Sequence, residues 1–220
     1  MSPLKTGILF DLDGTLLDTL QDLTDSVNYT LSQYGFPGRT QEEVRNFVGN
    51  GARRLIALSV PEGQDALVDG VLKTYQDYYA THSKIKTAPY KGILEALAVL
   101  KEKCPIAIVS NKPDGAVKTL CKEFFGDVFA LGETQGCPRK PAPDMLYKAM
   151  KEIGVDRFIY VGDSEVDVLT AQNAGVPCLS VLWGFRNRCE IERSGGIHFC
   201  DDPEKLSEAL DQMIRDLTAQ

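Results

Sequence analysis

The chain has 220 residues, of which 43% are hydrophobic and 25% charged, a globular balance with length enough for one sizeable core or for a core plus a small accessory domain. Its 24 basic and 31 acidic side chains give a formal net charge of -7. That argues against nucleic-acid binding, which calls for a basic excess or stripe, but leaves room for an anionic small-molecule substrate held through local fields and a bound cation.

No apolar run is long enough for a signal segment or a membrane span. The six cysteines are scattered and form no CxxC pair, so the expectation is a reduced, cytoplasmic protein without membrane contact. With only two histidines, His82 and His198, a histidine-rich metal site is excluded.

Gly7-Ile8-Leu9-Phe10 reads as the first strand, ended by Asp11. No convincing strand follows over most of residues 16–88. Leu20, Leu23, Val27, Leu31 and Tyr34 recur at helical spacing and stop at Gly35. Thr40 and Glu43 have capping-box spacing and open a helix that runs through Val44 and Phe47 to a break at Gly49-Asn50-Gly51. Helices over Ala52 to Ser59 and Gln64 to His82 complete the set.

Beyond Pro89 the pattern changes to alternation. Helices over Ile93 to Lys103, Asp114 to Phe125, Pro143 to Ile153 and Glu165 to Ala174 separate strands at Ile106 to Val109, Val128 to Leu131, Phe158 to Val161 and Cys178 to Leu182. A weaker strand at Ile197 to Phe199 and an amphipathic helix over Pro203 to Leu217 end the series. The strands are near-continuously apolar, as strands buried on both faces of a parallel sheet are. The predicted fold is α/β: a doubly wound, mostly parallel Rossmann-like core built from residues 1–16 and 88–220, interrupted by an inserted all-α, four-helix domain over residues 17–87.

The polar residues that stand out fall at strand ends, where open parallel sheets bind ligands. The first strand delivers Asp11-Leu12-Asp13-Gly14-Thr15, the second Ser110-Asn111-Lys112. Arg139-Lys140-Pro141 follows the third, and the fourth ends in Gly162-Asp163-Ser164-Glu165-Val166-Asp167. Asp11 and Asp163 suit a hard cation such as Mg²⁺. A carboxylate beside such a cation stays ionised and can attack phosphorus, while Asp13, two residues on, can move the proton of the leaving group. Ser110, Asn111 and Lys140 can grip phosphoryl oxygens.

Each segment alone has a plainer reading. Asp11-Leu12-Asp13-Gly14 differs from a calcium loop in having glycine at the fourth position and following a strand. Asp163 and Ser164 are also ordinary helix N-caps, and Lys140 a solvated loop charge. Their arrival together at four strand ends is what argues for chemistry.

These segments, in this order, resemble the four motifs of the haloacid dehalogenase superfamily, and within it the phosphoglycolate-phosphatase-like branch with a helical cap after the first strand. The resemblance covers nearly the whole chain. It implies that Asp11 is nucleophile and Mg²⁺ ligand, that Asp13 is general acid/base and a ligand through its backbone carbonyl, and that Asp163 is the other carboxylate ligand. It places Asp167 and Thr15 in support, and Ser110, Asn111 and Lys140 on the phosphoryl group. Asp13 favours phosphate chemistry over dehalogenation, because dehalogenase members lack this second aspartate.

In the cap, Gly49, Asn50, Gly51 and Arg53 resemble the cap loop of phosphoglycolate phosphatases. Glycine N–H groups at a helix start suit an anion, and Arg53 suits a carboxylate; a helix–helix turn with solvated arginines fits the same residues. The resulting expectation is a Mg²⁺-dependent phosphatase, monomer or homodimer, acting on a small phosphorylated acid, 2-phosphoglycolate first. Rival readings are a pyrophosphatase or broad sugar-phosphate phosphatase on the same scaffold, a phosphosugar mutase and a non-enzymatic binding protein. Thr15 and the absence of any histidine before His82 count against the mutase, and the intact motifs count against the binding protein.

Overall fold

A computed structural model describes residues 4–218. β1 (Thr6–Phe10) lies inside a six-stranded sheet with β4 (Ile106–Pro113), β5 (Phe129–Glu133), β6 (Arg157–Gly162), β7 (Cys178–Val181) and β8 (His198–Cys200), in the order β5-β4-β1-β6-β7-β8. All five pairings are parallel. Strand side chains alternate between faces, and here each face has its own cover. Ile8 and Phe10 join a core with Ile93 and Leu97 of α5 (Ile93–Lys103), Leu120 of α6 (Asp114–Phe125) and Leu206 of α10 (Leu206–Thr218). Leu9 faces the other way, to Met145 and Leu146 of α7 (Asp144–Glu152) and Ala171 of α8 (Glu165–Ala174).

Strand order runs one way from β1 through β4 to β5 and the other way through β6 to β8, so the sheet reverses direction beside β1. A crevice opens outside the carboxyl ends of the strands at such a reversal.

Four helices follow β1: α1 (Leu20–Gln33), α2 (Gln41–Phe47), α3 (Ala52–Ser59) and α4 (Val68–His82). They close around a separate apolar cluster that includes Leu23, Val27, Leu31, Val44, Ile56, Val71, Tyr75 and Tyr79. Thr40 and Glu43 form the reciprocal capping box. The two chain crossings between helical unit and sheet pair as a short antiparallel ribbon of β2 (Leu17–Asp18) and β3 (Ala88–Pro89). Asp22, in the first turn of α1, accepts from the Lys86 and Thr87 backbone N–H groups at 2.8–3.0 Å and ties the second crossing to that helix.

Two details differ from the sequence pattern. The helix expected from Gln64 begins as a 3₁₀ turn, Asp65–Leu67, before α4 takes over at Val68. A short helix, α9 (Arg188–Arg193), is new; it buries only Ile191 and is held by an Asn187–Glu190 capping box, so no apolar period betrays it. Among the described residues no helix is long and apolar enough to cross a membrane, and all six cysteines are free.

Candidate active site

Asp11 is the first residue beyond β1, and its N–H donates to the Val161 carbonyl at 2.8 Å, which fixes it at the sheet edge. Asp163 follows β6 and is held from two sides. Thr15 Oγ1 donates to Oδ1 at 3.2 Å and the Phe185 N–H to Oδ2 at 2.7 Å. Gly14, at φ +80°, and Gly184 let backbone pass so close that a Cβ on either would collide with the Asp163 side chain. Asp167 lies one turn into α8, where Oδ2 receives the Ser164 N–H and hydroxyl. One carboxylate oxygen from each of Asp11, Asp163 and Asp167 falls within 4.8 Å of the others, all three residues buried.

One ammonium serves this cluster. Lys140, 2% exposed, donates to Asp167 Oδ1 and the Tyr160 hydroxyl, both at 2.8 Å, and lies 3.0 Å from Asp11 Oδ1. Burial pulls its pKa down, but the Asp11 and Asp167 carboxylates outweigh that and hold it above the ordinary lysine value. Three carboxylates against one lysine leave two negative charges uncompensated. Accordingly burial, with the Asp167 and Asp13 charges, pushes Asp11 up to about 7 against the pull of Lys140. Burial and the Asp167 and Asp11 charges raise Asp163 well above the carboxylate range. Hard oxygen donors carrying two surplus charges fit a divalent cation of the Mg²⁺ type.

A stability test follows. Asp11 binds its proton more tightly folded than unfolded, so metal-free protein loses stability as pH rises from the unfolded carboxylate value through about 7. Through Asp11 alone the loss between pH 5 and 8 is on the order of 3 kcal/mol, roughly 6–12 °C in Tm, and Asp163, raised by burial and the same carboxylates, adds to it in the same direction. Asp25 and Asp114, whose pKa values are lowered by Lys86 and Lys118 hydrogen bonds, are ionised throughout that window and add no slope. Saturating Mg²⁺ flattens the profile and raises Tm more at pH 8 than at pH 5; thermal melts at both pH values, with and without Mg²⁺, read it directly. A metal-free Tm that does not fall over that range contradicts this electrostatic account.

On the β4 side, Ser110 Oγ accepts the Lys112 N–H at 3.2 Å. The Asn111 side chain borders the cavity and is held by the protein itself. Its amide donates to the carbonyls of Lys140 and Gly49 and its oxygen accepts the Lys140 N–H, all at 2.9–3.0 Å. It therefore ties the Lys140 segment to the helical unit. Asp13 pairs with the buried Lys112, Nζ to Oδ1, at 2.7 Å.

Asp11, Asp13, Ser110, Lys140 and Asp163 all line one cavity of about 60 Å³ whose other wall comes from the helical unit. Gly49 and Gly51 border it, whereas Asn50 and Arg53 do not. Arg53 is solvent-exposed and pairs with Asp69 at 2.8 Å, which corrects the expectation that it faces the substrate. Ala52 and Leu55, three apart on α3, take the inner face, and the next position is turned about 100° away.

A fifth strand end joins the four. The loop after β7 brings Phe185 and Arg186 to the same cavity. Arg186 donates to the carbonyls of Arg45, Asn46 and Val48 at the end of α2, and Arg45 returns bonds to the carbonyls of Gly184 and Phe185. Two arginines thus clasp helical unit to sheet domain in both directions. Strand-end position was the available signal for Phe185 and Arg186. Tyr75 and Tyr79, also on the cavity wall, carried none beyond apolar periodicity.

Fold and site together define a hydrolase that handles an anionic substrate with carboxylates and two buried lysines, Lys112 and Lys140. Residues 8–181 match the model of the haloacid dehalogenase-like hydrolases. The chain is 33% identical to a phosphoglycolate phosphatase of Pseudomonas putida over 90% of its own length and 77% of that protein. It is 35% identical to one of Mesorhizobium japonicum over 92% and 95%. A crystal structure from Lactobacillus delbrueckii subsp. bulgaricus superposes with a TM-score of 0.87 at 38% identity, covering 94% of this chain and 98% of that one. The chain belongs to the haloacid dehalogenase-like hydrolase family, in its phosphoglycolate phosphatase-like branch, and is a phosphatase.

Proposed function

We propose that the chain is a cytoplasmic, Mg²⁺-dependent phosphate monoester hydrolase that forms an aspartyl-phosphate on Asp11, and that its substrate is 2-phosphoglycolate or a phosphorylated acid of similar size. The observation that carries the substrate claim is the cavity: small, with Leu23, Val48, Leu55, Tyr75 and Tyr79 as its helical wall. Such a wall has few partners for the hydroxyls of a sugar, whose burial without partners is costly.

In this reading Asp11 attacks phosphorus in line with the ester oxygen. The P–O bond breaks, its electron pair leaves on the alkoxide, and Asp13 supplies the proton. Water then attacks the aspartyl-phosphate, Asp13 takes back a proton, and Asp11 is released with inorganic phosphate. Lys140 and Ser110 hold the phosphoryl oxygens in both steps, and Asp167 keeps Lys140 in place. Asp11, Asp163 and the Asp13 backbone carbonyl would hold Mg²⁺, which would supply the positive charge that lets two anions meet. The Gly49–Gly51 turn closes the site against water.

Initial rates on 2-phosphoglycolate, hexose phosphates, pyrophosphate and p-nitrophenyl phosphate test the claim. A kcat/KM for phosphoglycolate at least about tenfold above the rest is expected, with activity lost in chelator and restored by Mg²⁺. A preference for sugar phosphates or pyrophosphate sinks the substrate, and chelator-resistant turnover sinks the metal.

A further inference from the structure

The arginine expected to read the substrate's acid group faces solvent, so its charge partner must lie elsewhere. We propose that Lys112 forms the subsite for the carboxylate of the leaving group. This rests on the phosphatase reading above and names the residue that selects the acid.

Lys112 is buried, with its side chain 4% exposed. Its ammonium carries three donors, and among the described residues its hydrogen-bond partner is Asp13 Oδ1. The Tyr79 ring lies beneath it, 4.7 Å from Nζ to the ring centre. That contact offers attraction but no lone pair. Unmet buried donors are costly, and this lysine borders the cavity. An acceptor-only group in the cavity beside it satisfies them.

Position selects the kind of group. To protonate the leaving oxygen, Asp13 must stand within a hydrogen bond of it, and Lys112 Nζ is 2.7 Å from Asp13. An anion joined to the ester oxygen through one carbon therefore falls within reach of Lys112. A carboxylate offers the ammonium lone pairs together with the opposite charge. The neighbouring Leu23, Val48 and Leu55 provide nothing for a polyol.

The test compares kcat/KM for 2-phosphoglycolate with that for ethyl phosphate, which lacks only the carboxylate function. Wild-type enzyme is expected to prefer the acid by roughly 30-fold or more. Lys112→Met should cut that preference at least about tenfold, chiefly through KM. Lys112→Gln, which keeps a hydrogen-bonding group for Asp13, should do the same and decides the matter if Lys112→Met does not fold. Preference retained in the variants overturns the proposal, as does an equal loss on both esters in Lys112→Met, which would leave the lysine serving Asp13 alone. A wild-type enzyme that hydrolyses both esters equally overturns the acid-substrate reading and this subsite with it. One that hydrolyses neither, yet turns over another ester of the panel above, overturns the acid-substrate reading, and this subsite with it, while the phosphatase class stands.

Discussion

Asp11→Asn lowers kcat on every phosphate ester by at least about 10⁴-fold while leaving the protein folded. The amide oxygen is a poor nucleophile and forms no stable phosphoryl intermediate, so loss of Asp11 removes the covalent route rather than weakening it. The expected stability change separates this from simple unfolding. The pKa of Asp11 stands at about 7 because burial and neighbouring carboxylates disfavour its charge. A neutral amide avoids that cost, so the metal-free variant melts no lower than wild type at pH 8. Steady-state rates and thermal melts on the same preparation read both effects. Turnover within tenfold of wild type would remove Asp11 as nucleophile.

Lys140→Met produces the second large effect, on stability and rate together. Lys140 reaches Asp11 at 3.0 Å and Asp167 at 2.8 Å from a fully enclosed position. Without it, Asp11, Asp163 and Asp167 are left with no ammonium in their midst. Breaking a buried ion pair by removing one partner costs about 3–5 kcal/mol, or roughly 6–20 °C in Tm for a chain of this size. Loss of its charge from the phosphoryl oxygens lowers kcat by a further 10²–10³-fold, about 3–4 kcal/mol. Lys140→Arg should not restore activity, since the planar fork cannot point at Tyr160, Asp167 and Asp11 from one nitrogen. Mg²⁺ recovers part of the lost Tm but little of the rate. A Lys140→Met protein that melts within about 2 °C of wild type would refute the charge count.

The reach of the sequence varies from residue to residue. Strands such as Ile106 to Val109 were visible because burial on two faces demands unbroken apolar runs. The four strand ends were visible because polar residues interrupt those runs abruptly. α9 was not visible, since six residues with one buried side chain make no period. Lys112 has no role legible in the sequence, because a lysine next to Ser110 is indistinguishable there from a solvated one. Its burial and its bond to Asp13, 99 residues away in the chain, are what separate the two.

The opposite error befell Arg53. A glycine-flanked arginine at a helix start suits an anion site, yet the face on which it emerges depends on how α3 is rotated against the sheet. Asn111 is a milder instance: it stands at the right strand end, but its amide is occupied by Lys140 and Gly49. The clasp of Arg45 and Arg186 belongs to the same class, since main-chain carbonyls have no sequence signature.

By itself, then, the sequence determined the parallel α/β core, the helical insertion and the chemical types gathered at the strand ends, because periodicity and strand-end position are local properties of the chain. The tertiary structure alone decided how charges balance across the acidic cluster, which helical face closes the cavity, that a lysine from the sheet meets Asp13, and that the arginine of the insertion faces solvent. Those depend on distances between residues far apart in sequence, and a side chain's protonation and partners follow from what surrounds it, not from what adjoins it.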